Sequence, residues 1–364
     1  MENTRKRRLV AYWLLAGVFM IVIQTLLGGV TRLSGSGLSI TEWNPIMGTV
    51  PPLSEQEWNK AFDAYKQIGQ YKILNHHFTL SDFKFIFFWE WFHRLWARTL
   101  GVVFAIGFIY FLVKKYFDKE MVMPLIVLFF LGALQGVIGW LMVKTGLNTE
   151  DVHVNYIALS IHFISAMILA CFTLWFALRL LIDEKNRVSN NRLNSFTSFI
   201  IGILLLQLVY GAFMAGLKAA PAASTWPKIN GYWIPSGMLE NSIFNNPLNV
   251  QFIHRGLGYI LFIMVIVWFG IVLNKAKNNS ASLLKTTCWL PFAFVVIQVL
   301  LGVLTVLNAS NIVWGKFGEF EMLAELHQLI AMLLLLSLVV NLYIIKREER
   351  STPALKGDGA SVLN

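Results

Sequence analysis

The sequence predicts an all-α polytopic membrane protein, with eight transmembrane helices arranged as two pseudo-symmetric four-helix bundles. Three observations carry that expectation. The 364-residue chain is 56% hydrophobic and 14% charged, with a mean hydropathy of +0.60, whereas soluble domains are roughly a quarter charged. Eight apolar stretches, each close to the ~20 residues that cross a bilayer, begin near Leu9, Ile86, Met121, Asn155, Phe196, Leu248, Thr286 and Met322. A Gln-x-x-x-Gly pattern also returns four times, each time followed by a stretch that bears a histidine.

Taken in order, the chain opens on Arg5-Lys6-Arg7-Arg8 and an apolar run. That run is too long for a signal peptide and lacks a small-residue cleavage site, so it is expected to stay as the first transmembrane helix. A long connection follows, from Arg32 to Phe85. In it Ser54 and Glu57 have capping-box spacing, and Trp58, Phe62 and Tyr65 recur at helical intervals. These features predict a short amphipathic helix on the membrane surface, placed to cover a site below. The second long connection, Lys218 to Asn249, contains Pro221, Trp226-Pro227, Trp233 and Pro235 and suits the same covering role.

Basic residues fix the expected orientation. The N-terminus, Lys114-Lys115, Arg179 with Lys185 and Arg187, Lys275 with Lys277, and Lys346-Arg347 all fall on one side. The positive-inside rule makes that side cytoplasmic, which places both termini inside a multi-pass protein of the cell (inner) membrane. The net charge of +10 therefore reports topology, and nucleic acid is not an expected partner, because the cations lie in short clusters between apolar runs. Cys171 and Cys288 sit within or beside apolar runs and read as small core residues, with no structural disulfide or thiolate metal site expected.

The four repeats are Gln24…Gly28, Gln135…Gly139, Gln207…Gly211 and Gln298…Gly302, and the histidines that follow them are His93, His162, His254 and His327. His93 and His254 are 161 residues apart, and His162 and His327 are 165 apart. The expected division is an N-terminal half over 1–194, a C-terminal half over 195–350 and a cytoplasmic tail over 351–364. Four spans per half make the halves parallel, related by a pseudo-twofold along the membrane normal. The glutamines are expected to bond between helices beside a glycine that permits close approach.

A lone histidine on an apolar helix is usually a satisfied core residue, but four at matched positions and similar depth are not. Four histidines without cysteine or paired carboxylates argue against structural zinc, and the absence of nearby sulfur donors excludes thiolate copper. Paired histidines from facing helices suit haem iron. Pairing within each half joins His93 with His162 and His254 with His327, giving two haem sites. His76, His77 and His153 read as solvated or interfacial.

The halves differ at one informative place. Glu90-Trp-Phe-His93-Arg94 aligns with Gln251-Phe-Ile-His254-Arg255. Glu90, His93 and Arg94 share a helix face, and ionisable groups at the mouth of a membrane segment point to a cofactor or cavity. Arg94 and Arg255 suit haem propionates. Only the N-terminal half keeps a carboxylate able to take a proton or stabilise positive charge.

Together these residues, with the first-loop run Gly37-Leu38-Ser39-Ile40-Thr41-Glu42-Trp43, resemble the haem A synthase family over essentially the whole chain. The resemblance implies oxidation of the C8 methyl of haem O to a formyl group by successive hydroxylations. It implies Glu90 as the catalytic carboxylate, His93, His162 and Arg94 around substrate haem O, and His254 and His327 as ligands of a haem B cofactor near Arg255. Also implied are contact with haem O synthase and cytochrome oxidase assembly factors, membrane lipid around the spans, an electron acceptor the sequence does not name, and a homo-oligomer. Some members carry a cysteine pair in the first outer loop; this chain does not, so a thiol-dependent step is not expected. The alternative reading is a dihaem b-type electron-transfer cytochrome, which needs the histidines but has no use for Glu90 in one half only. A transporter with parallel repeats would explain the topology but not four histidines at one depth.

Overall fold

The computed structural model describes residues 2–42, 47–235, 237–238, 240–276, 282–312 and 317–346. Trp43 of the first-loop run, Lys277 and Arg347 of the basic clusters, and the 351–364 tail lie outside the described residues. Among the described residues, eight helices are long and apolar enough to cross a membrane. The chain is therefore a multi-pass membrane protein. Its helices are α1 (Glu2–Leu33), α2 (Glu55–Tyr65), α3 (Leu80–Val113), α4 (Lys119–Lys144), α5 (Tyr156–Leu181), α6 (Asn191–Gly216), α7 (Pro247–Ala276), α8 (Ser282–Thr287), α9 (Trp289–Leu307) and α10 (Glu319–Ile344). α2 belongs to the first loop, and α8 with α9 forms one span broken at Cys288.

Local chemistry sets the helix ends. Asn155 caps α5 by accepting the Ile157 N–H at 2.9 Å and the Ala158 N–H at 3.2 Å, and Asn190 caps α6 through the Leu193 N–H at 2.9 Å. At the start of α10, Glu321 reaches back to accept the Gly318 N–H at 2.9 Å. Side-chain oxygens at these points satisfy backbone donors that a helix leaves unpaired.

α1 packs on α3 and α5, and α4 packs on α5; later in the chain α6 packs on α7 and α10, while α9 packs on both α7 and α10. The two sets meet where α5 faces α6 and α10 and where α1 faces α10. The largest apolar core fills the side of the membrane that holds the α1 N-terminus. It takes Val10 to Ile21 of α1, Met121 to Leu128 of α4, Met167 to Leu180 of α5, Leu261 to Val272 of α7 and Ala331 to Ile344 of α10. Within it the Trp268 indole donates to Thr197 Oγ1 at 2.8 Å, as a buried indole N–H requires. On the same side, β1 (Val188–Ser189) pairs in parallel with β2 (Ile345–Lys346), Val188 opposite Ile345, which ties the α5–α6 connection to the end of α10.

The first loop departs from expectation in two linked ways. α3 begins at Leu80 rather than near Ile86, started by a capping box in which Asp82 accepts the Thr79 N–H at 2.8 Å. The additional turns present Phe83, one turn before Phe87. α2 forms as the capping box predicts, with Ser54 Oγ accepting the Glu57 N–H at 3.2 Å. The Leu53 and Ser54 backbone N–H groups hold the Glu57 carboxyl below its ordinary range. Its apolar face does not lie on the membrane, however. Phe62 stacks on Phe83 with centroids 5.0 Å apart, and Trp58 meets Phe87 edge-on at 5.0 Å. Aromatic partners on α3 thus replace lipid as the cover of that face.

Tyr65, the last residue of α2, is buried, donating to Gln70 Oε1 at 3.0 Å and accepting from Asn75 at 2.8 Å, and burial pushes its hydroxyl up to about 12. Gln70 carries the loop onward to the carbonyls of Gly35 and Val152. Gly69 presses against the Asp151 carbonyl, where a Cβ would come within 2.6 Å. The described parts of the 34–79 loop and the 145–155 loop therefore form one lid over the C-terminus of α1 and the N-termini of α3 and α5.

Candidate functional site

The four Gln-x-x-x-Gly repeats build four similar niches, each holding one histidine of the following span. Gln24 on α1 meets His93 on α3 with 2.8 Å between the amide nitrogen and ring Nε2. Gln207 on α6 meets His254 on α7 at 3.4 Å, and Gln298 on α9 meets His327 on α10 at 3.2 Å, both at Nε2. Gln135 on α4 reaches His162 on α5 at Nδ1, 3.3 Å away, while also donating to the His162 main-chain carbonyl at 2.8 Å. The glycine one turn on is the floor of each niche. A Cβ at Gly28, Gly139, Gly211 or Gly302 would stand 3.2, 2.9, 3.3 or 2.9 Å from the ring of His93, His162, His254 or His327 respectively.

His254 and His327 face each other with ring centroids 6.3 Å apart. An iron ion between two imidazole nitrogens, each about 2 Å from it, needs ring centres roughly 6 Å apart. The carbonyl of Gln298 lies 3.1 Å from His327 Nδ1. A carbonyl only accepts, so Nδ1 carries the proton and Nε2 presents its lone pair, the arrangement usual for metal-bound histidine. These two residues would therefore fit a haem iron held between them. His93 and His162 lie within electrostatic reach of each other in the first half.

The acid and its matching amide sit in opposite sockets. Glu90 is buried, at 2% exposure. Its Oε2 accepts from Ser39 Oγ at 2.7 Å and the Ile40 N–H at 2.9 Å, and its Oε1 accepts from Arg94 at 2.6 Å. Gln251 keeps the arginine contact, its Oε1 accepting from Arg255 at 2.7 Å, but its amide nitrogen donates to the Ala219 and Ala220 carbonyls at 3.2 Å each. One loop offers donors and the other acceptors, so backbone geometry specifies a carboxylate in the first half and an amide in the second. Arg94 also donates to the Ile40 carbonyl at 3.1 Å, while Arg255 donates to the Ala223 and Thr225 carbonyls at 3.0 and 2.8 Å.

His162, His254 and His327 stand about two turns from the N-termini of their helices. His93 lies further along α3 because α3 starts early. His76 and His77 are exposed, whereas His153 is partly buried in the lid. Burial first, then Lys218 nearby, lowers the His153 ring to about 4.

Three features went unread in the sequence. Ser39 and Ile40 belong to a run already singled out, but their role as Glu90 donors depends on how the loop folds back. Arg98 lies one turn deeper than Arg94, where the second half has Tyr259, whose hydroxyl accepts from the Trp226 indole at 2.9 Å. Glu325 on α10 has both carboxylate oxygens buried without a hydrogen-bond partner among the described residues. It rests against Gly29 of α1, where any side chain would collide with it, and within electrostatic reach of Arg32, whose guanidinium donates to the Ala215 carbonyl at 3.0 Å.

The fold and these side chains define a multi-pass membrane protein that carries glutamine-backed histidines in the half away from its N-terminus and a buried carboxylate beside one of them. The chain belongs to the COX15-CtaA family of cytochrome oxidase assembly proteins, whose profile matches residues 11–339. Similar curated relatives include a haem A synthase of Bartonella tribocorum, 38% identical over 321 residues, which are 86% of this chain and 88% of the relative. The haem A synthase of Flavobacterium johnsoniae is 35% identical over 94% of this chain and 99% of its own length. That of Bradyrhizobium diazoefficiens is 40% identical over 83% of this chain and 84% of its own.

Proposed function

We propose that this chain oxidises the C8 methyl of haem O to the formyl group of haem A by successive hydroxylations, for cytochrome oxidase biogenesis. The observation that carries this reading is the contrast between Glu90, held by donors from Ser39, Ile40 and Arg94, and Gln251, held by the Ala219 and Ala220 carbonyls. A protein that only passed electrons between two equivalent haems would have no use for a carboxylate in one half alone. The relatives, each named for the synthesis of haem A, support the same chemistry.

In this reading residues 1–194 hold the substrate between His93 and His162, and residues 195–350 hold haem B between His254 and His327. Haem B, when bound, supplies a one-electron redox centre. Converting a methyl group and one water to a formyl group releases four protons and four electrons, so the substrate carbon becomes electron-poor and protons must leave. Glu90 takes a proton from the attacking water or stabilises charge on the carbon. Arg94 and Arg255 hold propionates, and the lid of the two outer loops keeps bulk water from the oxidised carbon. Both termini lie in the cytoplasm and the histidines near the outer face of the cell membrane. Haem O synthase and oxidase assembly factors are neighbours for delivery and collection, the protein self-associates, and an external acceptor removes the electrons.

Expression beside a haem O source, in cells otherwise unable to make haem A, tests the proposal. Appearance of haem A supports it. Persistence of haem O with fully folded protein present would refute it. C-terminal reporter fusions check the topology, and activity only in the periplasm would overturn the orientation.

A further inference from the structure

An unprotonated imidazole nitrogen has one in-plane lone pair, which accepts one hydrogen bond or binds one metal ion but not both. At His93, His254 and His327 a glutamine amide lies against Nε2, and the approach is graded: 2.8 Å for Gln24 on His93, 3.2 Å for Gln298 on His327 and 3.4 Å for Gln207 on His254. The first is a short, strong contact and the last is at the edge of bonding distance. His162 is the exception. Ser165 Oγ donates to Gln135 Oε1 at 2.7 Å and the His162 carbonyl accepts from the Gln135 amide at 2.8 Å, so this glutamine is tied down and touches the ring at Nδ1. The serine has no counterpart in the second half, where the matching residue is Ile330.

The half with the tightest amide contact on one ring and a tied-off glutamine at the other is also the half with the carboxylate. A resident cofactor stays bound, whereas a substrate must arrive and its product must leave. We propose that Gln24 is a positioning residue that competes with haem iron for His93 Nε2, so that His162 holds the substrate haem throughout its stay and His93 joins and releases it in each cycle. This rests on the reading that His93 and His162 flank the substrate haem. The amide makes release easier because the departing ring exchanges iron for a ready hydrogen bond instead of leaving a buried nitrogen unsatisfied. The Oε1 atoms of Gln24, Gln207 and Gln298 are all buried without a partner among the described residues, so what sets Gln24 apart is its closer approach to the ring.

The test uses the full-length protein purified with haem B and haem O bound, mixed with excess apomyoglobin as haem acceptor. Gln24→Leu removes the competing donor at similar volume. Transfer of the prenylated haem to apomyoglobin is expected to slow about three- to tenfold, the worth of one net hydrogen bond, and the six-coordinate low-spin band of that site is expected to rise. Haem B content serves as the folding control. If Gln24→Leu assembles poorly by that control, Gln24→Asn, whose amide is too short to reach the ring, carries the same expectation. Unchanged or faster transfer, or loss of prenylated haem from a variant with normal haem B, overturns the proposal. His93→Ala separates the two layers. If it keeps the wild-type low-spin band, the ligand reading itself fails, whereas loss of that band with wild-type transfer in the Gln24 variants defeats only the competition.

Discussion

Replacing Glu90 by glutamine is a change of one atom with two separable consequences. The new amide can keep its oxygen on Arg94, where Oε1 now accepts at 2.6 Å, which turns the NH2 group towards Ser39 Oγ and the Ile40 N–H. Ser39 can redirect its proton to the Ile86 carbonyl, already 3.3 Å away, and accept from the amide. The Ile40 N–H loses its acceptor. One buried orphan donor costs about 1–3 kcal/mol of stability, which loosens the loop but leaves the helices assembled. The second consequence is catalytic: loss of a preorganised charge at the reacting carbon costs roughly a hundredfold or more in rate. Purified Glu90→Gln is therefore expected to retain haem B and bind haem O, yet yield little haem A when extracted haems are separated by chromatography over a time course. Ser39→Ala isolates the first effect, because it removes one donor and keeps the carboxylate; its rate should fall less than that of Glu90→Gln. Conversion of haem O by Glu90→Gln at the wild-type rate would refute the assignment of chemistry to Glu90.

Other expectations follow from the same geometry. His254→Ala or His327→Ala should abolish the b-type spectrum of the second half, and an unchanged haem B content in either variant contradicts the ligand pair. Gly302→Val places side-chain atoms on the His327 ring, 2.9 Å from Cε1 at the Cβ alone, and should cut haem B occupancy sharply. Gly202→Ala, with nothing within 4 Å of the added carbon, should preserve occupancy and gain up to ~1 kcal/mol of helix stability. His153 has a folded value near 4, below its ordinary 6.5, so the unfolded chain binds its proton first as pH falls. The stability it lends is fully present above pH 6.5 and is lost as pH falls through 4. Melting temperatures across that window should decline for the wild type and less so for His153→Gln; identical profiles would sink the assignment.

Much of this architecture is written locally in the chain. Apolar runs of bilayer length give the eight spans because length and hydropathy alone decide whether a helix crosses a membrane. The Ser54/Glu57 box marks α2 because capping is a four-residue affair. The early start of α3 was readable from Thr79 and Asp82 by the same logic, but the polar Ser81-Asp82 and Lys84 sit outside any apolar window. What α2 packs against was not readable, since Phe83 becomes its partner only once α3 extends. The Glu90 socket is likewise a long-range product: Ser39 and Ile40 come from a loop some fifty residues earlier, and nothing local says that one offers its hydroxyl and the other its N–H. Glu325 escaped notice because an acidic residue near a helix start usually serves the helix dipole, and only the close approach of Gly29 on α1 shows that it is buried between spans.

The most direct measurement is the identity and ratio of the haems carried by the purified protein after expression with a haem O source. The account predicts one haem B per chain together with a prenylated haem, as haem O, a hydroxylated intermediate or haem A, with the prenylated fraction lost in His162→Ala while haem B stays. Two equivalents of haem B and no prenylated haem would make the chain a dihaem electron carrier and contradict the account.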